Sequence, residues 1–478
     1  MPMKKYKPEQ MVTLLRRIEV EIARQSNLFA HYQRGLTTTS TKPKGSGFKH
    51  NEGSMTRGRA VWRKFARKFW QKRPTVLRQL FRSPLFQAEE VFVAIRRAAT
   101  DDGAPRTVWV DRAYVPSPRD RAHLPSDRDR SFAEYCQRLA PTTELCVVQY
   151  GIQRFAPEVW MRARQFLLGV VNVVGLPTKA DIDVFYGKYR ATPRGPHTDA
   201  ASNFSFVIEG RKKMLLWPPS YFEEHHVEVI GNGGEGMNDI ADSRSYHEFA
   251  KDAVVLEGGA GDVLYWPSSY WHMAVSDDLE PTMALNIGLY VGQKTFAILP
   301  DIAAFALREI LTGRSEPIET YTVRGKAIGG RIQMLPDEYR FLLTTLRSQP
   351  LSLAIKKNWL RHLSALAFKT FPPPENNVEL VDQDILLGRP ECPIVWMPAG
   401  GGRLLFAANG ACFIRPNARP LVHALAALNN GRGLRLADFI GSAGKRKINP
   451  RAARSLREAL RLLLAHGAIF VSQDSFDR

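Results

Sequence analysis

The sequence predicts an α+β protein: a small antiparallel barrel of the jelly-roll type, wrapped by helices, with a hairpin-and-helix region at its C-terminal end. Three observations carry this reading. In the strand runs between Asp181 and Tyr290, apolar and polar residues alternate, the period-two pattern of strands with one buried face. Within that stretch Phe204–Ile208, Gly210 and Lys212–Trp217 read as strand, turn and strand. Beyond Phe371-Pro372-Pro373-Pro374, a stiff linker, the chain changes to one strong hairpin and several short helices.

Element by element, residues 9–34 place Met11, Leu14, Leu15, Ile18, Ile22 and Leu28 near helical spacing. They predict an amphipathic helix for docking, for dimerisation or for packing on its own domain. Residues 36–58, rich in Thr, Ser, Gly and Lys, read as a flexible basic linker, so 1–58 form an N-terminal region. Order resumes at Trp62. Pro74 stops the helix that carries Phe69 and Trp70, and Thr75–Leu77 suits a strand. Ser83-Pro84 opens a helix running to 100, and 101–130 reads as a polar loop. A helix at 131–139, a strand at Glu144–Gln149 and a helix at 157–169 leading into Val170–Val174 follow. Asp181–Arg190 is a core strand with Ile182, Val184 and Tyr186 on one face.

Residues 220–252 interrupt the core. The adjacent His225 and His226 there point opposite ways on a strand, and a solvated loop is the better reading. Strands return at Ala253–Leu256, Asp262–Trp266 and Met283–Tyr290, closing a barrel domain over 59–294. Residues 295–313 and 335–369 are helical in pattern, the second broken at Pro350, and 295–375 forms a helical region with a Pro-rich linker. Arg403–Ala408, Asn409-Gly410 and Ala411–Arg415 make a hairpin, with helices at about 418–428, near 436–441 and at 449–466. The strand Ala468–Ser472 ends the series. Strands with three helices in so short a span predict a winged-helix-like domain over 376–478.

The 478 residues suffice for two or three domains. The longest strongly apolar run, Phe166–Leu176, is interrupted by Asn172 and too short to span a bilayer, so no membrane role is expected. Met1–Lys5 lead into a polar segment without the apolar core of a secretory signal. Four cysteines, at 136, 146, 392 and 412, form neither a CxxC pair nor a dense framework, which predicts a reducing, cytoplasmic setting. The formal charge of +20 favours an acidic partner such as RNA, a ribosomal surface or an acidic peptide. The alternative is that it confers only solubility and weak nonspecific binding.

Three side chains carry chemistry. His197 and Asp199 are two apart and share a face on a strand, and His272 comes 73 residues after Asp199. Two imidazoles and one carboxylate make the facial triad of non-haem iron oxygenases and leave metal positions open for a co-substrate and dioxygen. Around them stand Asn203-Phe204, Gly210-Arg211-Lys212-Lys213, Trp217-Pro218-Pro219, Gly261-Asp262-Val263-Leu264-Tyr265-Trp266-Pro267 and Trp271-His272.

This order of motifs, from about Phe69 to Gly292, resembles the JmjC-type, cupin-fold 2-oxoglutarate oxygenases, in particular their protein hydroxylases and ribosomal oxygenases. The resemblance implies an Fe(II) centre at His197, Asp199 and His272, with 2-oxoglutarate and O2 as co-substrates. It implies that Lys212, fifteen residues after His197, pairs with the far carboxylate of 2-oxoglutarate. Asn286 on the last core strand, with Asn203, would contact the co-substrate or the metal side. Tyr186 or Tyr189 is a further candidate for the co-substrate, against the alternative that both pack in the core. Where the family often has a small hydroxyl residue, three before the first histidine, this chain has Arg194.

The implied activity is hydroxylation of a protein or peptide side chain. Two alternatives use the same chemistry: a hydroxylase of a natural-product precursor peptide whose leader is held by the winged helix, and an N-methyl-lysine demethylase. A metal-binding barrel with another activity would have no need of Lys212, and a regulator with a vestigial barrel would not keep a complete triad. Helices after the barrel form a dimer interface in the family, so a homodimer is expected.

Overall fold

The computed structural model describes residues 52–139, 143–231, 237–242, 246–291, 349–376, 378–437 and 449–472, with a few helical positions between 302 and 344. The helix expected at 9–34 lies outside the described residues, as do most of the linker and most of 295–348. So do 438–448, where part of a third C-terminal helix was expected.

In chain order the barrel strands are β1 (Thr75–Leu77), β2 (Arg106–Val110), β3 (Ala113–Val115), β4 (Leu145–Gln149), β5 (Lys179–Lys188), β6 (His197–Thr198) and β7 (Ala201–Glu209). They continue as β8 (Arg211–Trp217), β9 (Val229–Gly231), β10 (Asn238–Ile240), β11 (Val254–Gly259), β12 (Val263–Trp266), β13 (Trp271–Val275) and β14 (Thr282–Tyr290). They form two antiparallel sheets. One has eight strands in the order β1-β12-β7-β14-β5-β4-β2-β3, the other six in the order β11-β8-β13-β6-β10-β9. Chain neighbours separated across the sheets, with β7 and β8 in different ones, are the jelly-roll arrangement expected from the alternation. Gly210 makes the switch from β7 to β8 at φ +71, and a Cβ there would lie 2.2 Å from the Pro281 carbonyl oxygen.

The alternation of each strand sorts its residues to two faces. Ile182, Val184, Tyr186, Phe204, Phe206, Leu285 and Ile287 point outward from the eight-stranded sheet into the main core. That core is completed by Trp62 and Phe65 and by the helices Ala88–Thr100 and Pro157–Val174. Val207, Met214, Leu216, Leu264, Trp266 and Ala274 form a smaller cluster inside the barrel. Leu215, Trp217, Trp271 and Met273 pack on the outer face of the six-stranded sheet, beneath the insertion that includes β9 and β10.

Several expectations shift. The helix Glu52–Lys68 begins inside the stretch expected to be linker, and its Trp62 and Phe65 are buried, so tertiary packing supports a segment of weak local signal. The stretch 101–130 is not a plain loop. It holds the hairpin of β2 and β3, whose central Asp111 and Arg112 have φ of 48° and 67°, and a short 3-10 helix at Arg119–His123. Two successive left-handed residues define the tight hairpin turn, and Asp-Arg carries no glycine to announce it. The helix expected at 157–169 runs on to Val174, and Pro350 stands in the first turn of Gln349–Ser364 rather than breaking it.

The C-terminal region has β15 (Ile385–Gly388), β16 (Val395–Gly400), β17 (Arg403–Ala408), β18 (Ala411–Pro416), β19 (Leu434–Arg435) and β20 (Ile469–Val471). They form two three-stranded sheets, β19-β15-β20 and β16-β17-β18. Helices Arg419–Asn429 and Pro450–Ala465 share one core with them. The hairpin at Asn409-Gly410 and both helices stand where expected; β15 and β16 carried no clear alternation. Arg164, wholly buried on its helix, ties this region to the barrel by donating to the backbone oxygens of Glu391 (2.9 Å) and Ser364 (2.8 Å). Among the described residues no helix is long and apolar enough to cross a membrane, and all four cysteines are free thiols.

Candidate metal centre and its pocket

β6 lies between β13 and β10, and its pairing sets His197 directly opposite His272. Facing residues of paired strands point to the same side, so both imidazoles enter the barrel, with ring centroids 4.4 Å apart. Each ring is oriented from behind. His197 Nδ1 lies 2.8 Å from the Gly195 carbonyl and His272 Nδ1 lies 3.1 Å from the Tyr270 carbonyl. A carbonyl only accepts, so each Nδ1 carries the proton and each Nε2 offers a lone pair. Asp199, just past β6, closes the set: its Oδ2 is 3.2 Å from His272 Nε2 and its Oδ1 is 4.0 Å from His197 Nε2. One donor atom from each of the three lies within 4.8 Å of the others.

The protonation states suit a cation. Burial, then the nearby His272, pushes His197 down to about 3, which keeps it neutral near pH 7. Burial alone would raise Asp199, but its close contact with His272 and the neighbouring His197 and Arg194 hold it well below the usual carboxylate range. Two imidazoles and a carboxylate whose donor atoms converge fit Fe(II).

Lys212 lies on β8 four residues before Leu216, the cross-strand partner of His272. It therefore shares the inner face with the histidines, about 13 Å along the strand from that level. Its side chain is buried, yet no carboxylate among the described residues pairs with it. Its Nζ donates to the Tyr189 hydroxyl at 3.0 Å and sits 5.3 Å from the Phe185 ring centroid. Burial pushes Lys212 down to about 8, and the nearby Cys146 thiol, pushed up to about 12 by burial, supplies no counter-charge. A buried cation with one phenol as acceptor has donor capacity that an anion could use.

Asn286 and Asn203 also face inward. Asn286 pairs with Asp183 on one side and Ser205 on the other, and Gly288 stands between Asp181 and Asn203. Asn286 Oδ1 and Ser205 Oγ are buried without a hydrogen-bond partner, whereas Asn203 Nδ2 donates to the Ala201 carbonyl at 3.1 Å. Orphaned polar atoms on the inner face of the eight-stranded sheet again fit a polar ligand.

Tyr186 is a correction. It points to the opposite face of β5, into the main core between Phe132 and Tyr135, with ring centroids 6.5 and 6.1 Å away. Of the two candidate tyrosines, Tyr189 meets Lys212. Parity explains the exchange: 186 falls in register with Ile182 and Val184, and 189 falls with Phe185 and Asp183.

Two further features escaped the sequence reading. Asp183 faces inward, accepts from the Gly151 backbone N–H at 3.0 Å, and is pushed up to about 7 by burial and by the charge of Asp181. The polar, odd-numbered members of the β5 alternation were the available signal. Asp239, from the insertion, pairs with Arg194 beside Asp199, and no local pattern marks it. His225 bonds back to the Tyr221 carbonyl at 2.7 Å, in line with a loop role.

Residues 115–287 match the family model of a cupin-like domain. The chain is 26% identical over 158 residues to the bifunctional lysine-specific demethylase and histidyl-hydroxylase NO66 of Drosophila simulans, which is 31% of this chain and 18% of that protein. It is 31% identical over 100 residues to the lysine-specific demethylase JMJ31 of Arabidopsis thaliana, 19% of this chain and 17% of that protein. The chain thus spans less than a fifth of the length of these curated relatives. The solved ribosomal oxygenase YcfD of Escherichia coli, in complex with cobalt and 2-oxoglutarate, covers 86% of this chain and 98% of its own at 16% identity, with a TM-score of 0.47.

Proposed function

We propose that this chain, whose residues 115–287 match a cupin-like domain, is a JmjC-type Fe(II)- and 2-oxoglutarate-dependent oxygenase that hydroxylates a protein or peptide side chain. One observation carries the reading. A complete two-histidine, one-carboxylate set and a buried cation without a carboxylate partner occupy the same inner face of one barrel.

His197, Asp199 and His272 would hold the iron, and Lys212 would pair with the far carboxylate of 2-oxoglutarate. When bound, the iron would supply activation of dioxygen, with one atom of O2 entering the C–H bond as C–OH and the other entering 2-oxoglutarate, which is released as succinate and carbon dioxide. The chain's own part is positional. The Gly195 and Tyr270 carbonyls hold the imidazoles in the ligating tautomer. Tyr189 and Phe185 seat the Lys212 ammonium. Trp266, buried with its ring centroid 5.3 Å from that of His272, walls off water on one side. Asn286 and Asn203 offer polar contacts on the eight-stranded face.

The named activities of the relatives, lysine demethylation and histidyl hydroxylation, support a protein substrate and leave demethylation as the second reading. We also assign macromolecular recognition, of a ribosomal or other protein target, to the winged-helix-like region 376–478 and to the basic surface implied by the +20 charge. A homodimer through 295–375 belongs to the same proposal.

The test is turnover. Purified chain with Fe(II), ascorbate and 2-oxoglutarate is expected to form succinate slowly without substrate, and His197→Ala or Asp199→Ala to abolish both metal binding and succinate. Normal succinate formation by both variants would refute the assignment.

A further inference from the structure

Beside the metal set lies a pair of opposite charges that the chemistry above does not use. Arg194 stands in the turn before β6, closed by the Gly195 N–H donating to the Thr192 carbonyl at 3.0 Å. Thr192 pins that turn to β13, its N–H donating to the Ala274 carbonyl at 2.9 Å. The guanidinium reaches toward the triad, with NH1 3.6 Å from Asp199 Oδ1. Its Nε donates instead to Asp239 Oδ1 at 2.5 Å. Asp239 belongs to β10, a strand of the insertion that lies along β6 and places Asp239 opposite His197. The Thr198 hydroxyl fastens that strand, accepting from the backbone and side-chain nitrogens of Asn238 at 3.0 and 3.1 Å.

A guanidinium this close to a carboxylate ordinarily takes it as a two-pronged partner, engaging the same oxygens that a metal needs. In this chain Asp239 is the nearer acid and already holds the guanidinium, and the Coulomb attraction grows as the separation shrinks. We propose that Asp239 is a positioning residue for the metal centre: it is the counter-ion that keeps Arg194 from capturing Asp199. With Arg194 so restrained, Asp199 Oδ2 stays turned toward His272 and open to a cation. Asp239 thereby ties the insertion between β8 and β11 to metal affinity, although it donates nothing to the metal. The inference rests on the metal-centre reading.

Calorimetric titration of the full chain with Co(II), with circular dichroism to confirm folding, tests it. Asp239→Asn is expected to weaken Co(II) binding at least about tenfold, the scale of outer-layer partners of metal ligands. Asp239→Glu, which keeps the charge, is expected to retain the affinity. Arg194→Leu is expected to bind no more weakly than the unaltered chain. The double variant R194L/D239N is expected to return to within about threefold of it, because no free guanidinium then competes. A purely structural role for β10 predicts the opposite, a double variant as weak as D239N, and that result overturns the proposal. So does unchanged affinity in D239N, or loss in R194L alone. If the unaltered chain shows no saturable Co(II) binding, the metal centre itself is refuted and this inference falls with it.

Discussion

Two buried cations in this molecule have opposite surroundings. Arg164, at the seam between the barrel and the C-terminal region, donates to two backbone carbonyls and lies over the Trp160 ring, 5.1 Å from its centroid. Those carbonyls come from segments far away in sequence, so the guanidinium's fixed fork works as a rivet. Lys212, on the inner barrel face, has the Tyr189 phenol and the Phe185 ring around it. Among the described residues neither has a carboxylate partner. Arg164 is held through Nε and NH2 by rigid backbone, with NH1 left without a partner, whereas Lys212 has a single side-chain phenol as acceptor, a setting that would suit an anionic ligand.

The contrast breaks most sharply on stability. Arg164→Met removes two charge-assisted bonds to buried carbonyls and is expected to destabilise the fold by about 2–3 kcal/mol. Urea unfolding would show this as a lower midpoint with an unchanged slope, while Co(II) binding per folded molecule stays as it was. A loss of metal binding with normal stability would make Arg164 part of the site instead.

Lys212→Met should do the reverse. The apparent requirement for 2-oxoglutarate should rise at least about tenfold, since a charge-assisted contact is lost. The unfolding midpoint should hold or rise, because the change removes an unpaired buried charge. A lower midpoint with unaltered 2-oxoglutarate dependence would turn Lys212 into a second rivet.

The smallest expected effect is on pH. Burial holds Lys212 at about 8, below the usual lysine range, so its charge is present under that pH and is lost as pH rises through it. Apparent 2-oxoglutarate affinity should be flat on the acid side and fall about fourfold by pH 8.5. The Lys212→Met variant should show no such fall. An identical profile in both chains would place the titration elsewhere.

The sequence by itself determined the barrel and its metal set. Alternation over the strands between Asp181 and Tyr290 is a local property of strands with one buried face, and the turn at Gly210 is marked in the sequence by the glycine that its positive φ favours. His197, Asp199 and His272 were legible because they stand in short motifs whose strands could be read, and Lys212 because of its spacing within the family resemblance. Only the tertiary structure decided which tyrosine meets Lys212, since Tyr186 and Tyr189 share a run and parity within the folded sheet separates them. It alone joined Asp239 to Arg194, 45 positions apart, and Arg164 to Glu391, 227 apart. Local patterns record which face a residue takes on its own strand. Which distant side chain or carbonyl meets it there depends on how sheets and insertions pack, and no period in the chain encodes that.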